Sequence, residues 1–106
     1  MKHIIHNKLV RDKIPDIITA AGKTAVTRTA DREEYLRLLD EKLVEECREY
    51  EESKEAEELA DMLEVMYAII NARGSSVDEL ERIRRDKAEK RGAFDERIFL
   101  EEVVEP

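Results

Sequence analysis

Tryptophan is absent from this 106-residue chain, cysteine occurs once, and there are only two phenylalanines, two prolines and three glycines. Each scarcity excludes something. The lone cysteine, Cys47, has no partner for an internal disulfide, which fits a reducing compartment. With so few aromatics, a platform stacking several bases is hard to build. Sparse proline and glycine leave little to interrupt long regular elements. No apolar run approaches the roughly 18–20 residues that span a bilayer, and the opening MKHIIHNKLVRDK lacks the apolar centre of a secretory leader. A cytoplasmic protein with no membrane partner is expected. Basic charge is the scarcer sign, 19 Lys and Arg against 27 Asp and Glu, for a net charge of -8. That balance opposes binding to a nucleic-acid polymer, where affinity comes largely from cations displacing counterions on phosphates.

What is present is a foldable pattern. A hydrophobic fraction of 42% separates the chain from the disordered class despite 43% charged residues. Residues 1–106 have room for a single domain, and a core this small makes oligomerisation an expectation from size alone. From Asp31 to about Ser53, the residues Tyr35, Leu36, Leu39, Leu43, Val44, Cys47 and Tyr50 recur at spacings of three and four, the apolar stripe of an amphipathic helix. Asp31 is its N-cap, with Glu33 and Glu34 in the first turn. A second helix is predicted from about Lys54 to Ala72 on Leu59, Met62, Leu63, Met66, Ile69 and Ile70, with Gly74 as its stop. Ser76, with Glu79 three residues on, opens a third that runs to about Arg91 and Gly92. Pro15 to Gly22 reads as a short helix. Ala25–Thr29 and Arg97–Val104 carry the β-branched and aromatic residues of strands that could pair with each other. The expected fold is therefore mainly α: a helical hairpin completed to a four-helix-type bundle by oligomerisation, with a small terminal β element.

The two long helices also carry acids beside their apolar stripes. Glu46 and Glu49 stand three apart and Glu45 and Glu49 four apart, so they share a helix face, and Glu58 and Asp61 repeat the device on the second helix. Glu57 and Glu64 occupy neighbouring turns. In an antiparallel hairpin turning near Ser53 the acidic groups would meet. Converging carboxylates suit a hard cation such as magnesium, which prefers oxygen ligands and shares its shell with substrate phosphates. A chain this acidic produces such a spacing about once by chance, so spacing alone does not separate a metal site from a solvated face. Position favours the site: Glu46, Glu58 and Asp61 border the apolar stripes, where uncompensated carboxylates repel one another.

The run Lys42-Leu43-Val44-Glu45-Glu46-x-x-Glu49 followed by Glu58-Leu59-Ala60-Asp61-Met62-Leu63-Glu64-Val65 resembles the all-α nucleoside triphosphate pyrophosphohydrolases, a group that includes MazG proteins and phosphoribosyl-ATP pyrophosphohydrolases. The opening Asn7-Lys8-Leu9-Val10-Arg11-Asp12-Lys13-Ile14-Pro15 and the closing Lys87-x-x-Lys90-Arg91-Gly92-x-Phe94 are similar to the small phosphoribosyl-ATP pyrophosphohydrolase-like subgroup. The resemblance implies a magnesium-dependent hydrolase, with manganese as a substitute ion, that cleaves between the α and β phosphates of a nucleotide to release a monophosphate and pyrophosphate. It implies Glu46, Glu49, Glu58 and Asp61 as metal ligands. Glu45 is then a spare carboxylate able to orient or deprotonate the attacking water. Lys8, Arg11, Lys87 and Arg91 are the candidate phosphate-binding cations. One departure stands out: only eight residues separate Glu49 from Glu58, fewer than the family pattern usually has, so the turn must be tight. The reaction needs no Ser, Cys or His nucleophile. Expected partners are a small nucleotide and a second copy of the chain. Two alternatives remain open: a non-enzymatic acidic helical interaction module, and a dedicated phosphoribosyl-ATP pyrophosphohydrolase of histidine synthesis. Other conspicuous residues read as structural. His3 and His6 lack further ligands for zinc, Cys47 sits in its helix's apolar stripe as an inert thiol, Met62 and Met66 read as packing, and Tyr67 and Phe94 as core aromatics.

Overall fold

A computed structural model describes residues 1–106 as four helices in chain order: α1 (Ile14–Ala20), α2 (Arg32–Ser53), α3 (Ala56–Ala72) and α4 (Val77–Arg91). The local chemistry of each end explains the boundaries. At the start of α2 the Asp31 carboxylate accepts the Glu34 backbone N–H at 2.9 Å, and at the start of α4 the Ser76 hydroxyl accepts that of Glu79 at 3.1 Å. The Glu79 side chain does not complete a capping box, because it pairs with Arg82 one turn on. Removing the α2 cap by Asp31→Ala should cost about 1 kcal/mol and lower the melting temperature by about 4–8 °C. Circular dichroism melts of the two proteins test this, and an unchanged transition would mean that the cap carries no stability.

The hairpin turn is as tight as the short spacing demands. Lys54 takes a left-handed conformation (φ 59°), which reverses the chain while its N–H bonds to Tyr50 O at 2.8 Å. Its ammonium lies 5.5 Å from the Tyr50 ring centre, a cation–π contact that favours this side chain at a position otherwise suited to glycine. Two residues later α3 begins. The antiparallel α2/α3 pair is the principal packing of the molecule, and α4 leans on α3 alone.

No strand forms, which corrects the expected terminal β element. Ala25–Thr29 and Arg97–Val104 run without regular structure, and within one chain neither pairs with another strand. An isolated strand has no ladder to stabilise it. Arg97 moreover adopts φ 58° in a turn closed by its N–H on Phe94 O, so the second segment starts with a bend. Its side chains Ile98, Phe99, Leu100, Val103 and Val104 are exposed. Phe94 is 95% exposed, so it is not a core aromatic in a single chain.

The single-chain core is small: only Leu39, Val65 and Glu46 are buried. The radius of gyration is 18.9 Å, against about 13 Å for a compact domain of this length. No helix is long and apolar enough to cross a membrane.

Candidate functional site

Glu46 is the one buried polar residue, and the helical period explains why. It lies two turns after Leu39, the other buried residue of α2, and so shares the side of the helix that packs on α3. Across the tight turn, the first turns of α3 bring Glu58 and Asp61 to the same level. One carboxylate oxygen from each of Glu46, Glu58 and Asp61 lies within 4.8 Å of the others. The structure thus brings together three of the four ligand candidates. Glu49 is next to them, close enough to act on the Glu46 carboxyl, but does not join the triad.

The electrostatics of the cluster are incompletely balanced. Lys42 Nζ lies 3.3 Å from one Glu46 oxygen, whereas the other, Oε2, is buried with no hydrogen-bond partner. Burial first, and then the neighbouring Glu49, push the Glu46 carboxyl above the ordinary carboxylate range, with Lys42 opposing them. Glu45 stands on the rim. Partial burial raises its carboxyl most, but Lys42 at 3.4 Å and Lys8 at 3.3 Å together outweigh this and hold it below the ordinary range. Glu58 forms no ion pair. A buried carboxylate with an orphaned oxygen beside two others is destabilised by mutual repulsion, and a cation relieves it. Because every donor is a carboxylate oxygen, the set fits a hard divalent ion better than zinc or copper.

Cations reach the cluster from the N-terminal segment. Leu9, half-buried, lies with Asn7 and Lys8 along a small cavity of about 70 Å³ that Leu38, Glu41, Lys42 and Glu45 of α2 complete. From this segment Lys8 pairs with Glu45, while Arg11 donates from Nη2 to Asp61 Oδ1 at 2.7 Å and approaches Glu64 at 3.9 Å through Nη1. The other two phosphate-binding candidates are not brought in: Lys87 and Arg91 are exposed on the distal half of α4 and pair with none of the site's carboxylates. Lys42 and Glu64 are site neighbours to which sequence reasoning gave no role. The signal for Lys42 was available in its spacings of three and four to Glu45 and Glu46.

Beside the cluster an open groove of about 410 Å³ runs along α2, lined by Glu41, Val44, Glu45, Arg48, Glu49 and Glu52. All of its walls come from one helix. The remaining conspicuous residues are quiet. His3 and His6 are exposed, and Cys47 is half-buried with its thiol 3.7 Å from Glu51 Oε1.

No protein-family model matches the chain. No solved structure matches it either. Over 42 residues, 40% of this chain, it is 52% identical to a protein of Mycolicibacterium smegmatis described as uncharacterized. The matched stretch makes up 43% of that relative, so the chain spans less than half its length.

Proposed function

We propose that the protein is a magnesium-dependent nucleotide pyrophosphohydrolase of the all-α, MazG-like kind, cleaving the α–β phosphoanhydride to give a nucleoside monophosphate and pyrophosphate, and working as a homo-oligomer. The observation that carries this is the carboxylate triad Glu46, Glu58 and Asp61, with an orphaned buried oxygen on Glu46 and two N-terminal cations at its edge. Acids of that geometry beside Lys8 and Arg11 offer both halves of what a polyphosphate needs.

Glu46, Glu58 and Asp61, with Glu49 adjacent, would hold the ion. When bound, magnesium lowers the pKa of water and neutralises charge on phosphoryl oxygens, which is the chemistry a phosphoanhydride requires. Glu45 is held ionised by Lys42 and Lys8, so it is available as an acceptor that orients the attacking water rather than as a strong base. Lys8 and Arg11 pair with the substrate's phosphate oxygens, Arg11 being suited to two at once. Lys42, mostly buried and anchored in α2, offsets part of the Glu46 charge through one of its two oxygens.

The oligomer is supported by area. The chain exposes 9931 Å², whereas a folded monomer of this mass exposes about 6,100 Å². The excess of about 3,800 Å² per chain is more than the roughly 1,000–2,500 Å² that each partner loses in an obligate interface, so it leaves room for one, with the exposed irregular ends of the chain accounting for the rest. Val44, Leu59 and Leu63 on the hairpin are all more than two-fifths exposed and belong to that excess.

A panel of nucleoside triphosphates, with magnesium or manganese, tests the chemistry. The expected products are monophosphate and pyrophosphate, with no turnover when the divalent ion is chelated. Diphosphate plus orthophosphate would overturn the cleavage position. A panel without turnover would favour an acidic module that binds a basic protein partner.

A further inference from the structure

The N-terminal cations are already engaged: Arg11 sits 2.7 Å from Asp61 Oδ1 and Lys8 3.3 Å from Glu45. We infer that Lys8 and Arg11 serve the site twice, first as built-in counter-ions at the edge of the acidic cluster in the metal-free protein, then as ligands for the nucleotide's phosphates, Arg11 being displaced from Asp61 by the divalent ion and Lys8 turning from Glu45 to the arriving phosphates. Cation and nucleotide then bind with positive coupling. The inference rests on the assignment of the cluster as a divalent-cation site.

Like-charge repulsion favours the exchange. A hard divalent ion binds carboxylate oxygens at about 2.0–2.6 Å. With a guanidinium nitrogen 2.7 Å from an Asp61 oxygen, an ion coordinated there would meet a second cation within a few ångströms. The arriving ion weakens the hold of Asp61 on Arg11. The structure makes leaving easy. Both side chains are substantially exposed, 56% for Arg11 and 44% for Lys8, and both rise from irregular backbone ahead of α1. Lys42 differs: its side chain is only 18% exposed and belongs to α2, so it stays as the permanent counter-ion of Glu46.

The displaced groups do not go far. Leu9, half-buried between them, keeps the segment against α2, so a freed guanidinium remains within side-chain reach of the cluster's edge. Phosphates held by the ion would lie at that edge and offer the anionic partner that Arg11 has just lost. The net result is an ordered site: the cations that weaken metal binding in the free protein strengthen nucleotide binding in the metal-loaded one. By linkage, nucleotide must raise metal affinity by the same factor.

Manganese binding, followed by the paramagnetic resonance of free Mn²⁺ at physiological salt, tests this on the full chain. Arg11→Gln should bind Mn²⁺ more tightly than wild type without nucleotide, by about fivefold, because an exposed competitor has been removed. Lys13→Gln, which removes an equal charge two residues away from a side chain with no ion pair, should not. An α,β-methylene triphosphate should tighten Mn²⁺ binding to wild type and do so much less for Arg11→Gln. Unchanged or weaker Mn²⁺ binding by Arg11→Gln, or an equal gain in Lys13→Gln, would overturn the exchange while leaving the cation site standing. Absence of Mn²⁺ binding to wild type at millimolar concentration would overturn both.

Discussion

Asp61→Asn should reduce divalent-ion binding and pyrophosphate release by about 10³-fold or more, a loss of several kcal/mol of charge stabilisation, while the helical circular-dichroism signal is retained. The change preserves shape and removes one charge from the triad. It also deprives Arg11 of its partner, so stability without metal should fall only by the worth of an exposed ion pair, less than about 1 kcal/mol. Glu64→Gln is the matched control. Glu64 lies one turn further along α3 and touches the same arginine at 3.9 Å but stands outside the triad, so its loss should leave metal binding within a few-fold. If Asp61→Asn kept the Mn²⁺ affinity of wild type, the carboxylates would be a solvated face and the enzymatic reading would fail with them.

The same site carries a pH dependence whose sign follows from Glu46. Its carboxyl is raised in the folded protein, by burial and then by Glu49, so the folded state binds that proton more tightly than the unfolded chain does. The stability contributed is fully present below the unfolded value, near about 4.3, and is lost as pH rises through the folded one. A divalent ion needs the ionised form, so thermal stabilisation by magnesium should grow with pH across that window. In Glu46→Gln the Glu46 contribution to the first trend should vanish, and stabilisation by magnesium should be weak throughout the window.

The helices were legible in the sequence because their signals are local. The spacing of Tyr35, Leu39, Leu43 and Tyr50, the cap at Asp31 and the stops at Gly74 and Gly92 need only neighbouring residues to act, and α2, α3 and α4 form within about two residues of the expected bounds. The strands were not, because β structure depends on a partner that one chain does not supply. Ile98 to Val104 has the composition of a strand and no ladder to join. The site divides in the same way. Glu46, Glu58 and Asp61 converge because helical period and a tight turn dictate it, both being readable from spacing. Which cations approach is a tertiary matter. Lys8 and Arg11 reach the acids across 37 and 50 residues of sequence, while Lys87 and Arg91, equally basic and equally attractive as candidates, remain on an outer face of α4.

The wild-type protein should sediment as a dimer or larger, and Val44→Glu should convert it to a monomer with loss of activity. Only three of 106 residues are buried in one chain, too few to offset the conformational entropy of ordering four helices. In the proposed oligomer the stabilising area comes from another copy. Val44 is 50% exposed on α2 and lines the groove beside Glu45 and Glu49, whose walls belong to that helix alone. A partner helix laid over Val44, Leu59 and Leu63 would complete a four-helix core and supply the groove's missing wall in one step. A glutamate at position 44 would bury a charge in that core and face the acids of the groove, so assembly should fail even where each helix retains its own propensity. Val26→Glu, at a residue 94% exposed ahead of α2, separates this effect from general loss of apolar surface and should remain assembled. Sedimentation velocity at micromolar concentration reads the mass of all three proteins. A monomeric, active wild type would overturn the oligomer, and a Val44→Glu variant that stays assembled would place the covering surface elsewhere than on this face.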